Sequence, residues 1–443
     1  MDCRADTSEA VVARTAVETW SIDQHCFKRV LNRIPLKEVD SGCIVAHLEA
    51  ARLPMPRTDK KDTGRKATRH LNYTVNCEPP RDKTTRLRNA TLPGDDVGSN
   101  SKSSVTKSFK QLPPAMMTVD PGSLVYLKEL GHGLTGQVFL CQLPVREGKG
   151  YAAVKLMRKK RLIKENQVHN AIRENKLLST ISNKCPFIVS RLGQCTDEHT
   201  LYIFMEWLNG GDLFENLVEK KRFTVERARL YGAQVFLALE YIHSCGYIFR
   251  DLKPENIMLS LDGNVKLIDF GFCKTLGDGE KTLTVCGTPA YMSPEMLRRA
   301  GHDRATDLWA FGVLIFEMLA GYAPFDAPSQ KESMRKILKG SFEYPDGFDS
   351  QAKDLIENLC KVVPEDRLGM REDGYEAIKA HDFFANTNWH DVANCLVKPP
   401  PVTEKVNPRL LRPINQRWAK PSPTPAPLWQ QLSPEEQSLF DDF

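Results

Sequence analysis

The sequence predicts an α+β protein of two lobes, a small strand-rich lobe followed by a larger, mainly helical one. Two observations carry this. Short runs rich in Val, Leu, Tyr and Phe recur over 124–130, 137–142 and 151–156. Beyond Gly210-Gly211 the apolar residues return at helical spacing. A chain of 443 residues has ample length for a sizeable core. A cleft between two such lobes is a favoured place for a ligand.

Taken in order, residues 1–120 form a polar leader. It holds 20 Lys/Arg against 15 Asp/Glu, so the whole formal charge of +5 belongs to it and the remainder is neutral. Val17, Trp20, Phe27, Val30, Leu31 and Ile34 predict a helix near 15–34, ended by Pro35. Sparse apolar residues over 54–108 predict disorder. Residues 121–384 read as globular throughout. After the three runs above come a helix over 168–182, strands over 188–194 and 201–207, and helices over 213–219, 224–244, 304–320, 329–339 and 350–360. Residues 385–443 form a tail with nine prolines between Pro399 and Pro427, expected to be extended. It closes on Ser433-Pro434-Glu435-Glu436, a capping-box spacing that predicts one short helix.

Several function classes are excluded on these grounds. The twelve cysteines include no C-x-x-C pair and make up a small share of a long chain, against a disulfide framework or zinc module. No apolar run approaches a membrane span, no signal core follows Met1, and position 2 is not Gly. The expectation is an intracellular, cytoplasmic protein, with a nuclear pool also allowed. A charge of +5 is too small to argue nucleic-acid binding.

The chemistry-bearing residues follow the same order. Gly131-His132-Gly133-Leu134-Thr135-Gly136-Gln137-Val138 lies between the first two strands. Glycines allow a tight turn that brings backbone N–H groups against phosphate oxygens. A dinucleotide site would need a helix next, whereas a strand follows. A plain glycine-rich hairpin explains this run equally well when it is taken alone. Ala152-Ala153-Val154-Lys155 ends in a lysine that is costly to bury without a partner, and Glu174 can supply the opposite charge. Phe249-Arg250-Asp251-Leu252-Lys253-Pro254-Glu255-Asn256 and Leu267-Ile268-Asp269-Phe270-Gly271 then bring oxygen donors suited to Mg²⁺ and a carboxylate able to accept a hydroxyl proton. A loop rich in turn formers does not explain these types in this order.

Together these motifs resemble the eukaryotic protein kinase domain over residues 121–384, about 60% of the chain. The resemblance implies a bilobal fold with an antiparallel sheet and one helix in the small lobe, and ATP and Mg²⁺ in the cleft. It assigns Gly131, Gly133 and Gly136 to the phosphates, and Val138, Ala153, Met205, Glu206 and Met258 to the adenine. Lys155, paired with Glu174, would hold the α- and β-phosphates. Asp251 would be the base, Asn256 and Asp269 the metal ligands, and Lys253 with Thr288 would position the acceptor. Glu295 would pair with Arg367, and Asp307 would anchor the catalytic loop.

Lys253-Pro254-Glu255 and Gly287-Thr288-Pro289 resemble the serine/threonine branch. Asp269–Lys274 (DFGFCK), Thr284–Tyr291 (TVCGTPAY), Arg367-Leu368-Gly369 and Asn388-Trp389 resemble the AGC group, nearest the cyclic-nucleotide-dependent kinases. Phe440-Asp441-Asp442-Phe443 resembles the group's docking F-x-x-F. Thr284 falls at the activation-loop phosphosite, with Arg250 and Lys274 as expected partners and an upstream kinase implied. Asp212, Glu255 and Glu317 fall where the resembled kinases hold basic residues upstream of the acceptor, which implies basic Ser/Thr-containing protein substrates. Four residues depart from the pattern. Phe249 still offers an aromatic to Phe270, Thr135 implies looser closure of the glycine turn, Ala290 weakens the basic preference, and Ser293 is tolerable.

A pseudokinase scaffold is the competing expectation, opposed by the presence of Lys155, Glu174, Asp251, Asn256 and Asp269. Residues 1–120 do not resemble a cyclic-nucleotide-binding domain, so such control would require a separate regulatory subunit. Arg65-Lys66-Ala67-Thr68 has the form of a substrate or pseudosubstrate; chance in so basic a segment is the alternative.

Overall fold

The computed structural model describes residues 119–133, 135–144, 149–277, 279–400, 402–414 and 432–443. The expectations for 15–34, 54–108 and Arg65–Thr68 lie outside these residues, as does 415–431 of the proline-rich tail.

Five antiparallel strands form the small lobe: β1 (Val125–His132), β2 (Gln137–Pro144), β3 (Lys149–Arg158), β4 (Arg191–Thr196) and β5 (Thr200–Glu206), in the order β1-β2-β3-β5-β4. Alternation along the strands gives each face its own partners. Val154, Leu156, Tyr202 and Phe204 pack with Tyr126 and Phe139 on one face. Met157, Leu201 and Ile203 pack on the other, with Leu177, Leu178 and Ile181 of helix α2 (Val168–Ile181). Lys155, two residues before Met157, faces α2 for the same reason.

One expectation needed correction. The strand expected over 188–194 begins only at Arg191. Phe187, Ile188 and Val189 are buried instead against the large lobe, where Val189 N donates to Leu267 O at 3.0 Å and Leu267 N to Phe187 O at 2.8 Å. A short helix α1 (Lys159–Lys164) also precedes α2. Its sequence KKRLIK is too brief and too basic to show a period.

In the large lobe, α3 (Leu213–Lys220), α4 (Val225–Ser244), α5 (Pro294–Arg298), α6 (Ala305–Ala320), α7 (Gln330–Lys339) and α8 (Ser350–Leu359) follow the linker. Helix α6 is buried on every side from Ala305 to Leu319, which its nearly unbroken apolar sequence dictates. It ends where Gly321 adopts φ +85° as a left-handed cap. The hairpin of β7 (Ile257–Leu259) and β8 (Val265–Leu267), and the pair β6 (Tyr247–Ile248) with β9 (Lys274–Thr275), bracket the loops of the cleft. Among the described residues, no helix is long and apolar enough to cross a membrane.

The tail runs back over both lobes. At the linker, Lys405 N donates to Asn209 O at 3.0 Å and Val406 N to Asn209 Oδ1 at 2.9 Å, and Ile414 N then reaches Tyr126 O at 2.9 Å. The tail helix Pro434–Ser438 carries the capping box read from the sequence. Phe440 is buried beside it, with the Lys159 ammonium 5.5 Å above its ring. Gln194 Nε2 donates to Phe443 O at 2.9 Å.

Candidate active site

Lys155 donates to Glu174 Oε1 at 2.6 Å and Oε2 at 2.8 Å, with both side chains buried. Asp269 Oδ1 lies 3.7 Å from the same ammonium. Burial opposes the charge on Lys155, but the two carboxylates more than offset it and hold the lysine protonated. Asp269 sits in left-handed backbone at φ +60°, unusual for a residue other than glycine, and its carboxylate is half-exposed to the cleft.

The catalytic loop hangs from Asp307 at the start of α6. Its carboxylate accepts from Phe249 N at 2.8 Å and Arg250 N at 2.7 Å, and meets His243 Nε2 at 2.8 Å. Phe249 packs edge-on to Phe270 with centroids 5.4 Å apart, so this substitution keeps an aromatic contact. Lys253 Nζ donates to Thr288 Oγ1 at 2.9 Å, and the Thr288 hydroxyl donates to Asp251 Oδ1 at 3.2 Å. Asn256 Nδ2 donates to the Asp251 carbonyl at 2.8 Å and to Oδ2 at 2.7 Å. Those bonds turn the Asn256 Oδ1 acceptor away from Asp251. Burial pushes the Asp251 carboxyl up to about 6; Lys253 opposes the rise and Asp269 adds to it. Gly287, at φ +94°, lets the activation segment press on this loop, since a Cβ there would lie 2.6 Å from Arg250 O.

The glycine turn is tight, with Gly133 N donating to Gly136 O at 2.8 Å. Gly136 lies flat on β3, where a Cβ would come within 2.3 Å of Leu156 O. Thr135 is buried, and with Lys155 it pulls the Glu174 carboxyl down against the rise that burial imposes. Val138, Ala153, Met205 and Met258 stay partly exposed while most of their strand neighbours are buried. They come from β2, β3, β5 and β7. The Glu206 carboxylate is engaged by Lys266 Nζ and Ser190 N, both at 2.6 Å.

The donor set fits a nucleotide with a divalent cation. One carboxylate and one amide oxygen, from Asp269 and Asn256, are hard ligands that leave most of a Mg²⁺ shell to phosphate and water. Lys155 stands 3.7 Å from Asp269, close enough for the same phosphates to meet both ammonium and metal.

Of the expected phosphosite residues, Thr284 is exposed, Arg250 is buried, and Lys274 Nζ donates at 2.9 Å to Thr282. Arg173 on α2 joins them and was missed. Its guanidinium and the Lys274 ammonium are both pushed down in pKa, by burial first and then by Arg250. Of the three acidic residues, Asp212 caps α3 by accepting from Glu215 N at 2.6 Å, and Glu317 accepts from the buried Tyr291 hydroxyl. Glu255 is buried in the catalytic loop. Ser293 meets Thr306 Oγ1 at 2.9 Å, which accounts for a hydroxyl at this buried position.

The protein kinase domain family matches residues 124–384. A Caenorhabditis elegans protein described as cAMP-dependent protein kinase, catalytic subunit-like, is 38% identical over 279 residues, which is 63% of this chain and 69% of that protein. The Drosophila melanogaster cAMP-dependent protein kinase catalytic subunit 3 is 39% identical over 62% of this chain and 46% of its own length. Human ribosomal protein S6 kinase alpha-1 is 37% identical over 74% of this chain and 44% of its own length. The match thus spans less than half of the latter two proteins. These relatives bear out the group read from DFGFCK and TVCGTPAY. With its five-stranded small lobe and helical large lobe, the chain belongs to the protein kinase domain family.

Proposed function

We propose that this chain is a MgATP-dependent serine/threonine protein kinase of the AGC type, acting on proteins with Arg or Lys upstream of the acceptor. The observation that carries the reading is the convergence of Asp251, Lys253 and Thr288 within 3.2 Å of one another at the mouth of the cleft. Asp251 accepts the proton of the acceptor hydroxyl as that oxygen attacks the γ-phosphorus. Lys253 bridges Asp251 and the γ-phosphoryl group, and Thr288 holds Lys253 in place. Lys155, fixed by Glu174, neutralises the α- and β-phosphates. Asn256 and Asp269 would hold Mg²⁺, which supplies charge neutralisation to the phosphoryl group when bound.

Basic selectivity rests on Glu255 and Glu317, both buried, with Asp212 contributing at the rim while it caps α3. An intracellular, cytoplasmic setting, a separate cyclic-nucleotide-binding subunit and an upstream kinase at Thr284 complete the reading. Transfer of labelled phosphate from ATP to an arginine-rich serine peptide tests it. Asp269→Ala and Asp251→Asn should each lower the rate by at least about a hundredfold. Equal rates for wild type and Asp269→Ala would sink the catalytic reading, and indifference to arginine in a peptide library would sink the substrate class.

A further inference from the structure

Two buried side-chain nitrogens near the activation segment lack a partner. Among the described residues, Arg250 Nη1 and His302 Nε2 are inaccessible and make no hydrogen bond. Both residues are more than nine-tenths buried, at 8% and 2% exposure. Folded proteins rarely leave such groups unmet. His302 is tied to the segment by its main chain, since Thr282 N donates to His302 O and His302 N to Thr282 O, both at 2.9 Å. Arg250 is held by its Nε, which donates to Phe272 O at 2.8 Å, so Nη1 cannot simply swing away to another partner. Lys274 and Arg173 add positive charge from β9 and α2, and each feels the repulsion of Arg250. Such a cluster is stabilised by an anion.

We propose that His302 Nε2 and Arg250 Nη1 together receive a phosphate ester carried by Thr284, and that His302 takes up a proton as the ester arrives. This rests on Thr284 being the modified residue, as read above. In that modification the γ-phosphoryl group of ATP passes to Thr284 Oγ1, the hydroxyl proton is released and ADP leaves. The ester carries about −1.5 to −2 charges at pH 7.

Before modification, burial and Arg250 push His302 down to about 4; Glu295 and Asp307 pull it up, and Lys274 adds to the depression. At neutral pH the imidazole is therefore uncharged and adds no repulsion to the cluster. The ester reverses the local field. One unit charge about 6 Å away, at an effective dielectric of about 20, moves a pKa by roughly two. His302 in the modified protein should thus titrate at about 6 or above. His302 becomes a positioning residue that ties the ordered activation segment to pH, gripping the ester more firmly as pH falls from 8 to 6.

The full chain, prepared unmodified and with genetically encoded phosphothreonine at 284, gives the test. The His302 ring signal is followed by NMR against pH and assigned by its loss in His302→Gln. The expected result is a rise from about 4 to about 6 or more on modification. Resistance of the ester to a phosphatase, relative to a free phosphothreonine peptide, should grow about twofold from pH 8 to pH 6 in wild type and stay flat in His302→Gln. A His302 pKa indifferent to the phosphate overturns the proposal, as does the same pH profile in His302→Gln. The titration uses native sequence, so it does not depend on the variant folding. Phosphotransfer to the arginine-rich peptide, measured on the same samples, reports separately on the catalytic reading.

Discussion

Arg367 grips Glu295 through two parallel hydrogen bonds of 2.7 Å, with the guanidinium fully enclosed in the large lobe. Burial pushes the Glu295 carboxyl up, but Arg367 outweighs it and holds the group below the usual range. Removing one partner strands a buried charge. Glu295→Gln or Arg367→Ala should lower the unfolding free energy by about 3–5 kcal/mol, and Arg367→Lys should restore little, because an ammonium cannot form the fork. Urea denaturation of the purified chain measures this.

Phe440 and Phe443 reach α2 through a relay. Gln194 donates to Phe443 O, and its own Oε1 accepts from Asn175, the neighbour of Glu174. Phe440→Ala should cost about 3–5 kcal/mol of tail docking and reduce phosphotransfer by weakening support for α2. Hydrogen exchange along 168–181 should speed up in the variant, whereas protection of α6 should not change.

His302 in the unmodified chain carries its own pH signature. Its folded pKa of about 4 lies below the unfolded value of 6.5, so unfolding takes up a proton between those values. Stability is therefore intact above about 6.5 and falls as pH drops toward 4, then levels off. His302→Gln should flatten this part of the curve in thermal melts recorded from pH 7 to pH 4.

Much of the cleft could be read from the sequence, because its contacts lie inside short motifs or between residues whose charges demand each other. Lys155 with Glu174 is of this kind, whereas Arg367 with Glu295 was implied only by the resemblance to kinases. Phe187-Ile188-Val189 was not so readable: an apolar run looks like a strand whether it joins its own sheet or, as here, the opposite lobe. Asp212 carried two signals, an acidic residue near the cleft and an N-cap before a helical pattern, and the second was overlooked. Arg173 and His302 join the activation segment only through the fold, from sites more than a hundred residues apart in sequence.

Val189 on Leu267, and Glu206 on Lys266, fasten the small lobe to two successive residues of one short strand. Disrupting that one strand would therefore release both ties at once.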